Sequence, residues 1–310
     1  MIRKPTVLIL GAGASAPYGY PLGGALVDRI LTLTDPAGGG GGLHRVLIGA
    51  FGEPLADFHR RLRGSETSSI DDFLESNPDY AELGKLCIAG ALTVHGPALS
   101  YPVSPNLHWY KYLWERLRQD AAVSRQFGDN RLRVVTYNYE RSLERYFAGV
   151  LKDTYPDLAK AGLEVAEELR AKAIPVVHLH GALSSVADQV LTVSDRMTLN
   201  RLDFYREVAA GIRIIHEASP TEEYTTAHEW LREAQVICFL GFGFHPTNVK
   251  RLDLLNQIRG RADIFYGGTA HGLEDAEITR AESLLGISGP RRFLQPVDAL
   301  MFLRRYAPLE

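Results

Sequence analysis

A chain of 310 residues is long enough to bury a full core, as one large domain or as a domain carrying an insertion. With 34 Lys and Arg against 37 Asp and Glu, the formal net charge is −3 and lacks the basic excess of a dedicated nucleic-acid binder, so direct nucleic-acid binding is not expected. The two cysteines, Cys87 and Cys238, lie far apart in apolar runs, which excludes a disulfide framework and a four-cysteine zinc site; no metal is expected.

At the start of the chain, Arg3 and Lys4 precede the apolar run TVLIL, and Ala14-Ser15-Ala16 mimics a leader-peptide cleavage site. The run is short, broken by glycines and followed by Pro17, and nowhere does the chain approach the ~20 apolar residues of a membrane span. A soluble cytoplasmic protein without a membrane partner is the expectation. TVLIL is apolar on both alternations, which predicts a strand covered on two faces in a parallel sheet. PLGGALVDRILTL (21–33) follows with helical spacing, and the glycine run at 35–42 reads as a flexible linker or disordered loop.

From residue 43 to 130 the apolar positions recur at helical spacing with almost no strand pattern. Ser69-Ile70-Asp71-Asp72 offers helix-start chemistry, and HRRLRG (59–64) reads as a solvated helix face. Strand and helix patterns then alternate. RLRVVTYN (131–138), AIPVVHLHG (173–181), QVLTVS (189–194), QVICFLGFGF (235–244) and ADIFYGG (262–268) read as strands, separated by helical segments. The prediction is an α/β, doubly wound, Rossmann-like parallel sheet built from 1–34 and 131–310, with a helical insertion subdomain at 43–130. VDALMFLRRY (297–306) reads as a packing helix or an assembly surface.

Ligands of doubly wound sheets sit at the carboxyl ends of the strands. Four such exits carry chemistry here. Gly11-Ala12-Gly13-Ala14-Ser15-Ala16 allows a backbone to approach a pyrophosphate, with Ala16 where a third glycine is usual. The acidic residue expected about 20 positions on is missing, so a conventional dehydrogenase fingerprint is not met. Thr136-Tyr137-Asn138-Tyr139-Glu140 sets an amide at a strand top, suited either to a ribose hydroxyl or a water, or to capping the next helix. In His178-Leu179-His180-Gly181 the two histidines alternate, so they cannot ligate one metal; His180 is either a general base or a satisfied core histidine. Gly241, Gly243 and Asn248 mark the fourth exit.

Together these motifs resemble the sirtuin-like family. GAGASAPYGYP is similar to its Gly-Ala-Gly-x-Ser and Gly-x-Pro opening, TYNYE to its Thr-x-Asn-x-Asp element, HLHG to its histidine motif and FLGFGF to its later glycine-bearing exit. All four stand in family order within residues 7 to 250. There are departures: Glu140 replaces Asp, the Phe-Arg that deacylases carry after Gly-x-Pro is replaced by Leu22-Gly23, and two cysteines cannot form the deacylase zinc ribbon. That combination looks like the zinc-less bacterial NAD+ hydrolases of anti-phage defence.

The resemblance implies NAD+ as substrate and cleavage to nicotinamide and ADP-ribose. It implies that Gly11, Ala12, Gly13 and Ser15, with Pro21 and Thr136 of the same motifs, bind the nucleotide, the first exit holding the pyrophosphate. Asn138 would contact the nicotinamide ribose and orient water. His180 would accept or position a ribose proton, and Gly241, Gly243 and Asn248 would line the adenosine half. It also implies a homo-oligomer, a HerA-like ATPase or Argonaute-type partner, and activation by assembly. Two other readings stand beside it: a protein deacylase or ADP-ribosyltransferase, and a non-catalytic subunit that senses NAD or ADP-ribose.

Overall fold

The computed structural model describes residues 1–38, 41–93, 104–185, 201–214, 221–286 and 293–310. The chain divides into two compact units. One holds Met1–Tyr18, Ser100–Leu179 and Ser219–Glu310, and the other Gly19–Leu99 and His180–Ala218.

The first unit is built on a parallel sheet whose strands, among the described residues, are β1 (Thr6–Leu10), β2 (Leu132–Thr136), β3 (Val176–His178), β4 (Val236–Leu240), β5 (Phe265–Thr269) and β6 (Leu294–Gln295). Their order is β3-β2-β1-β4-β5-β6, and every pairing is parallel. Helices flank the sheet, so the fold is α/β and Rossmann-like. β1 and β4 are buried at all five positions, as their unbroken apolar runs require. Each fully buried Val, Leu, Ile or Phe there contributes roughly 1.5–3 kcal/mol, which makes this strand pair the anchor of the unit. β1 connects onward to β2 on one flank while β4 lies on the other, so the strand order reverses between β1 and β4. That reversal opens a crevice at the carboxyl ends of these two strands, where ligands of such sheets sit.

The second unit is helical, with Gly23–Thr34, Gly41–Phe51, Glu53–Gly64, Ile70–Ser76, Ala81–Thr93 and Leu202–Ala209 among its described elements. Ala81–Thr93 is buried nearly all round and packs against Gly23–Thr34 and Leu202–Ala209. Ser69 caps the Ile70–Ser76 helix, its side chain accepting from the Asp72 amide at 3.3 Å.

Several local expectations are corrected. The third strand is shorter than 173–181, because the helix Leu163–Ala173 occupies the chain up to its start. The helix behind β4 divides into Pro246–Leu252 and Leu254–Gln257 at Asp253, which takes a left-handed φ of 50°. A helix begins at Gly41, inside the glycine run that reads as a linker; Gly39 and Gly40 lie outside the described residues, as does the strand expected at 189–194. The apolar 297–306 segment holds the helix Ala299–Arg305, with Ala299, Phe302 and Leu303 buried. No described helix is long and apolar enough to cross a membrane.

Candidate active site

Two glycine-bearing exits meet at the crevice. The Gly11 amide donates to the Leu240 carbonyl at 3.1 Å and the Gly13 amide to the Gly241 carbonyl at 2.9 Å. Gly241 itself has a left-handed φ of 57°, and its amide donates to Thr269 Oγ1 at 2.7 Å. A Cβ on Gly11 would stand 2.6 Å from the Gly241 oxygen, and one on Gly241 would stand 2.0 Å from the Ala14 nitrogen. These glycines therefore let two backbones touch, and the Gly13 N–H is already spent on protein. The helix Trp109–Arg118 supports the same turn, since Trp109 Nε1 donates to the Ala14 carbonyl at 2.8 Å. A Cβ on Gly243 would meet nothing within 4 Å, and Asn248 accepts the Tyr137 hydroxyl on its backbone oxygen at 3.0 Å.

Asn138 stands two residues beyond β2. Its amide N–H donates to Thr136 Oγ1 at 3.0 Å, a local turn that folds the side chain back toward β1. Nδ2 then donates to the Gly11 carbonyl at 3.1 Å and to Ser15 Oγ at 2.9 Å, and lies 3.5 Å from Glu140 Oε1. Ser15 gives its single hydroxyl proton to Glu140, so toward Asn138 it can only accept. All three neighbours of Nδ2 are acceptors, which fixes the orientation of the amide. Among the described residues Asn138 Oδ1 has no hydrogen bond, in a side chain that is otherwise buried. Asn138 does not cap the following helix: that helix is Ser142–Thr154, its N-cap is Arg141, and the Asn138 amide is committed to β1.

Glu140 holds this arrangement together. Its Oε1 accepts from Ser15, and its Oε2 accepts the Ser142 amide at 2.5 Å, at the positive end of the Ser142–Thr154 helix. Ser142 Oγ bonds the Tyr110 hydroxyl at 2.8 Å, and Tyr110 stacks on Tyr18 with ring centroids 3.8 Å apart. Burial raises the Tyr18 hydroxyl pKa far above its ordinary value, so it stays protonated.

His178, at the end of β3, lies directly behind Asn138. Its Nδ1 is 2.8 Å from the Asn138 carbonyl oxygen, and its Nε2 is 2.9 Å from Glu144 Oε1. Burial by itself would raise the Glu144 carboxyl. The charge and hydrogen bond of His178, with the Arg170 and Arg141 guanidiniums, overcome it and hold that carboxyl at about 2. Burial would lower His178, yet Glu144 raises it above its ordinary 6.5. Arg141 reaches Glu144 at 3.5 Å and Glu167 at 3.6 Å, and Arg170 pairs with Glu167.

Gly11, Ala12, Gly13, Ser15, Thr136, Asn138, Gly241, Gly243 and Asn248 thus belong to the sheet unit, which joins Gly11, Ser15, Thr136 and Asn138 by hydrogen bonds and packs Gly11 and Gly13 on Gly241. Pro21 and His180 belong to the helical unit. There, His180 Nδ1 is 3.2 Å from Asp71 Oδ1, and the His180 carbonyl accepts the Arg213 amide at 2.8 Å. A carboxylate on Nδ1 favours the tautomer with its lone pair on Nε2, the form a base requires. Glu140, His178, Glu144 and Asp71 were not among the expected site residues. Glu140 carried a motif signal as the acidic member of TYNYE and His178 as the first histidine of HLHG, Asp71 appeared only in a helix-start signal, and Glu144 had none. Among the described residues no group of three or more His, Cys, Asp or Glu is placed to hold a metal ion.

A family model described as a SIR2-like domain matches residues 132–261, from β2 through the helices behind β4. This supports a sirtuin-like relationship, and SIR2-like domains use NAD+, which points to NAD-related chemistry in general. The matched stretch contains Asn138, Glu140, His178, His180 and Gly241, and does not include Gly11–Ser15. Neither the search of curated proteins nor that of solved structures found a match to this chain.

Proposed function

We propose that this protein is an NAD+ glycohydrolase that releases nicotinamide and ADP-ribose. The observation that carries the reading is the Asn138 side chain, whose amide nitrogen is tied to Gly11 and Ser15 while Oδ1 is left as an acceptor at the exits of β1 and β2. An acceptor held there suits a hydroxyl of the nicotinamide ribose or the attacking water. In the reaction the bond from C1′ to the pyridinium nitrogen breaks and its electron pair leaves with neutral nicotinamide. Water adds to the cationic C1′, and its proton passes to a base. The pyridinium is a good leaving group, so the residues are asked only to orient water and to favour positive charge at C1′.

The roles assigned are ribose and water positioning for Asn138, and proton acceptance for His180 with its ring oriented by Asp71. Gly11, Ala12, Gly13, Ser15, Pro21 and Thr136 are assigned to the nucleotide, and Gly241, Gly243 and Asn248 to its adenosine half. Activation through self-association, or through a HerA-like ATPase or Argonaute-type partner in anti-phage defence, is part of the proposal on the strength of the sequence resemblance.

Nicotinamide release from NAD+ is measured across a range of protein concentrations, with the mass of the assembly followed in parallel. Turnover that disappears in Asn138→Ala, with folding retained, is the expected result. NAD+ binding without turnover in every assembly state would favour the sensor reading, and O-acyl-ADP-ribose from an acylated peptide would favour deacylation; either outcome rejects the hydrolase.

A further inference from the structure

Both ring nitrogens of His178 face groups that can only accept. The Asn138 carbonyl lies 2.8 Å from Nδ1 and Glu144 Oε1 lies 2.9 Å from Nε2. A neutral imidazole has one N–H and would leave one of these contacts as two opposed lone pairs. Only the imidazolium satisfies both, and the ring is 12% exposed, so water does not readily replace either partner. We propose that His178 is a positioning residue, a doubly protonated strut between the Ser142–Thr154 helix and the β2 exit that fixes the Asn138 main chain and so aims its Oδ1. This inference rests on the proposed role of Asn138 in NAD+ cleavage.

The charges around the ring agree. Glu144 contacts it directly from the Ser142–Thr154 helix, Glu140 lies in the loop just before that helix, and both raise the imidazole above its ordinary value. Arg141 pairs with Glu144 and Glu167, and Arg170 with Glu167, so guanidiniums as well as His178 keep the Glu144 carboxylate ionised. The helix Glu222–Glu233 also packs on β3, but its Glu233 pairs with Arg133 and its His228 bonds the Arg251 carbonyl. The strut carries no net charge of its own with Glu144, and its geometry depends on the proton being kept.

Two substitutions separate the contacts. The side-chain nitrogen of asparagine reaches about where Nδ1 stands, and that of glutamine about where Nε2 stands. His178→Gln keeps the Glu144 contact and leaves the Asn138 carbonyl without its donor; His178→Asn does the reverse. The expected result is a loss in kcat on the order of 10–100-fold for His178→Gln, with KM for NAD+ changed less than about threefold, and recovery of most of that loss in His178→Asn. In Glu144→Gln the alkaline limb of kcat should move to lower pH. Nitrogen-15 spectra of the histidine rings should show both His178 N–H groups at neutral pH. A neutral His178 ring, or unchanged kcat in His178→Gln, overturns the inference. If the unaltered protein does not cleave NAD+, the functional reading fails separately. The Asn138 side-chain amide resonances then decide: a shift in His178→Gln, largely restored in His178→Asn, supports the strut, and their indifference to either change overturns it.

Discussion

Gly241 and Gly243 are two residues apart in the same exit, and substitution of each by alanine should give opposite results. In Gly241→Ala the new methyl would meet the Ala14 nitrogen at 2.0 Å and the Gly13 carbonyl carbon at 2.2 Å, both backbone atoms that cannot rotate away. The residue would also have to keep a φ of 57° with a side chain. A left-handed conformation costs roughly 1–2 kcal/mol and overpacking typically a further 1–3 kcal/mol, so a loss of about 2–5 kcal/mol is expected. At Gly243 a methyl meets nothing within 4 Å and no left-handed φ is required, which places Gly243→Ala within about 0.5 kcal/mol of the parent. Urea unfolding followed by the fluorescence of Trp109 and Trp114, both buried in the sheet unit, measures the two side by side. A stability within about 0.5 kcal/mol of the parent for Gly241→Ala would falsify the backbone contact between the β1 and β4 exits.

Asp71→Asn should lower kcat by about 10–100-fold with KM for NAD+ little changed, because the amide no longer selects the His180 tautomer; unaltered kcat would remove Asp71 from the mechanism. Glu144 should make the fold acid-sensitive. Its folded value of about 2 lies below the ordinary 4.5, so its stabilisation is complete above 4.5 and lost as pH falls toward 2, up to about 3 kcal/mol. Unfolding curves of Glu144→Gln at several acid pH values should be flatter with pH than those of the parent, and parallel curves would remove the argument. His178 carries the opposite sign, its raised value giving stability that is present below 6.5 and lost as pH rises through that raised value.

The strands and the order of motifs were legible because each rests on a local pattern. TVLIL and VICFL are apolar on both alternations, and that pattern needs two covered faces whatever the rest of the chain does. β6 was not legible, since two residues cannot show a period, and the bounds of Leu163–Ala173 are not marked by an apolar stripe because charged residues dominate that segment. The site divides in the same way. Asn138 and the glycines carry motif signals, whereas the partners of the His178 side chain lie 34 and 40 positions away in sequence, and Asp71 lies 109 from His180. Such pairings are made by parallel-sheet register and helix docking, which single-sequence periodicity does not encode. The glycines also acquired a second meaning: their spacing suggests room for a phosphate, and the Gly13 amide is in fact engaged by Gly241.

The charges around Asn138 bear on which step the site can favour. Glu140 is the carboxyl in direct contact with the Ser15 and Asn138 network. Carboxyl oxygens near a ribose carbon becoming cationic are favourable, and their effect grows as the bond to nicotinamide lengthens, which is the requirement for lowering the barrier rather than merely binding substrate. The carboxylate stays close because its two oxygens are held by Ser15 and by the Ser142 amide. Glu140 stands where the motif that TYNYE resembles carries Asp, which keeps a carboxyl there and changes its reach. Asn138 turns Nδ2 toward Ser15 and Glu140 and keeps Oδ1 on the other arm of its amide, so the proposed cleavage draws on an amide oxygen and a buried carboxyl held by one network.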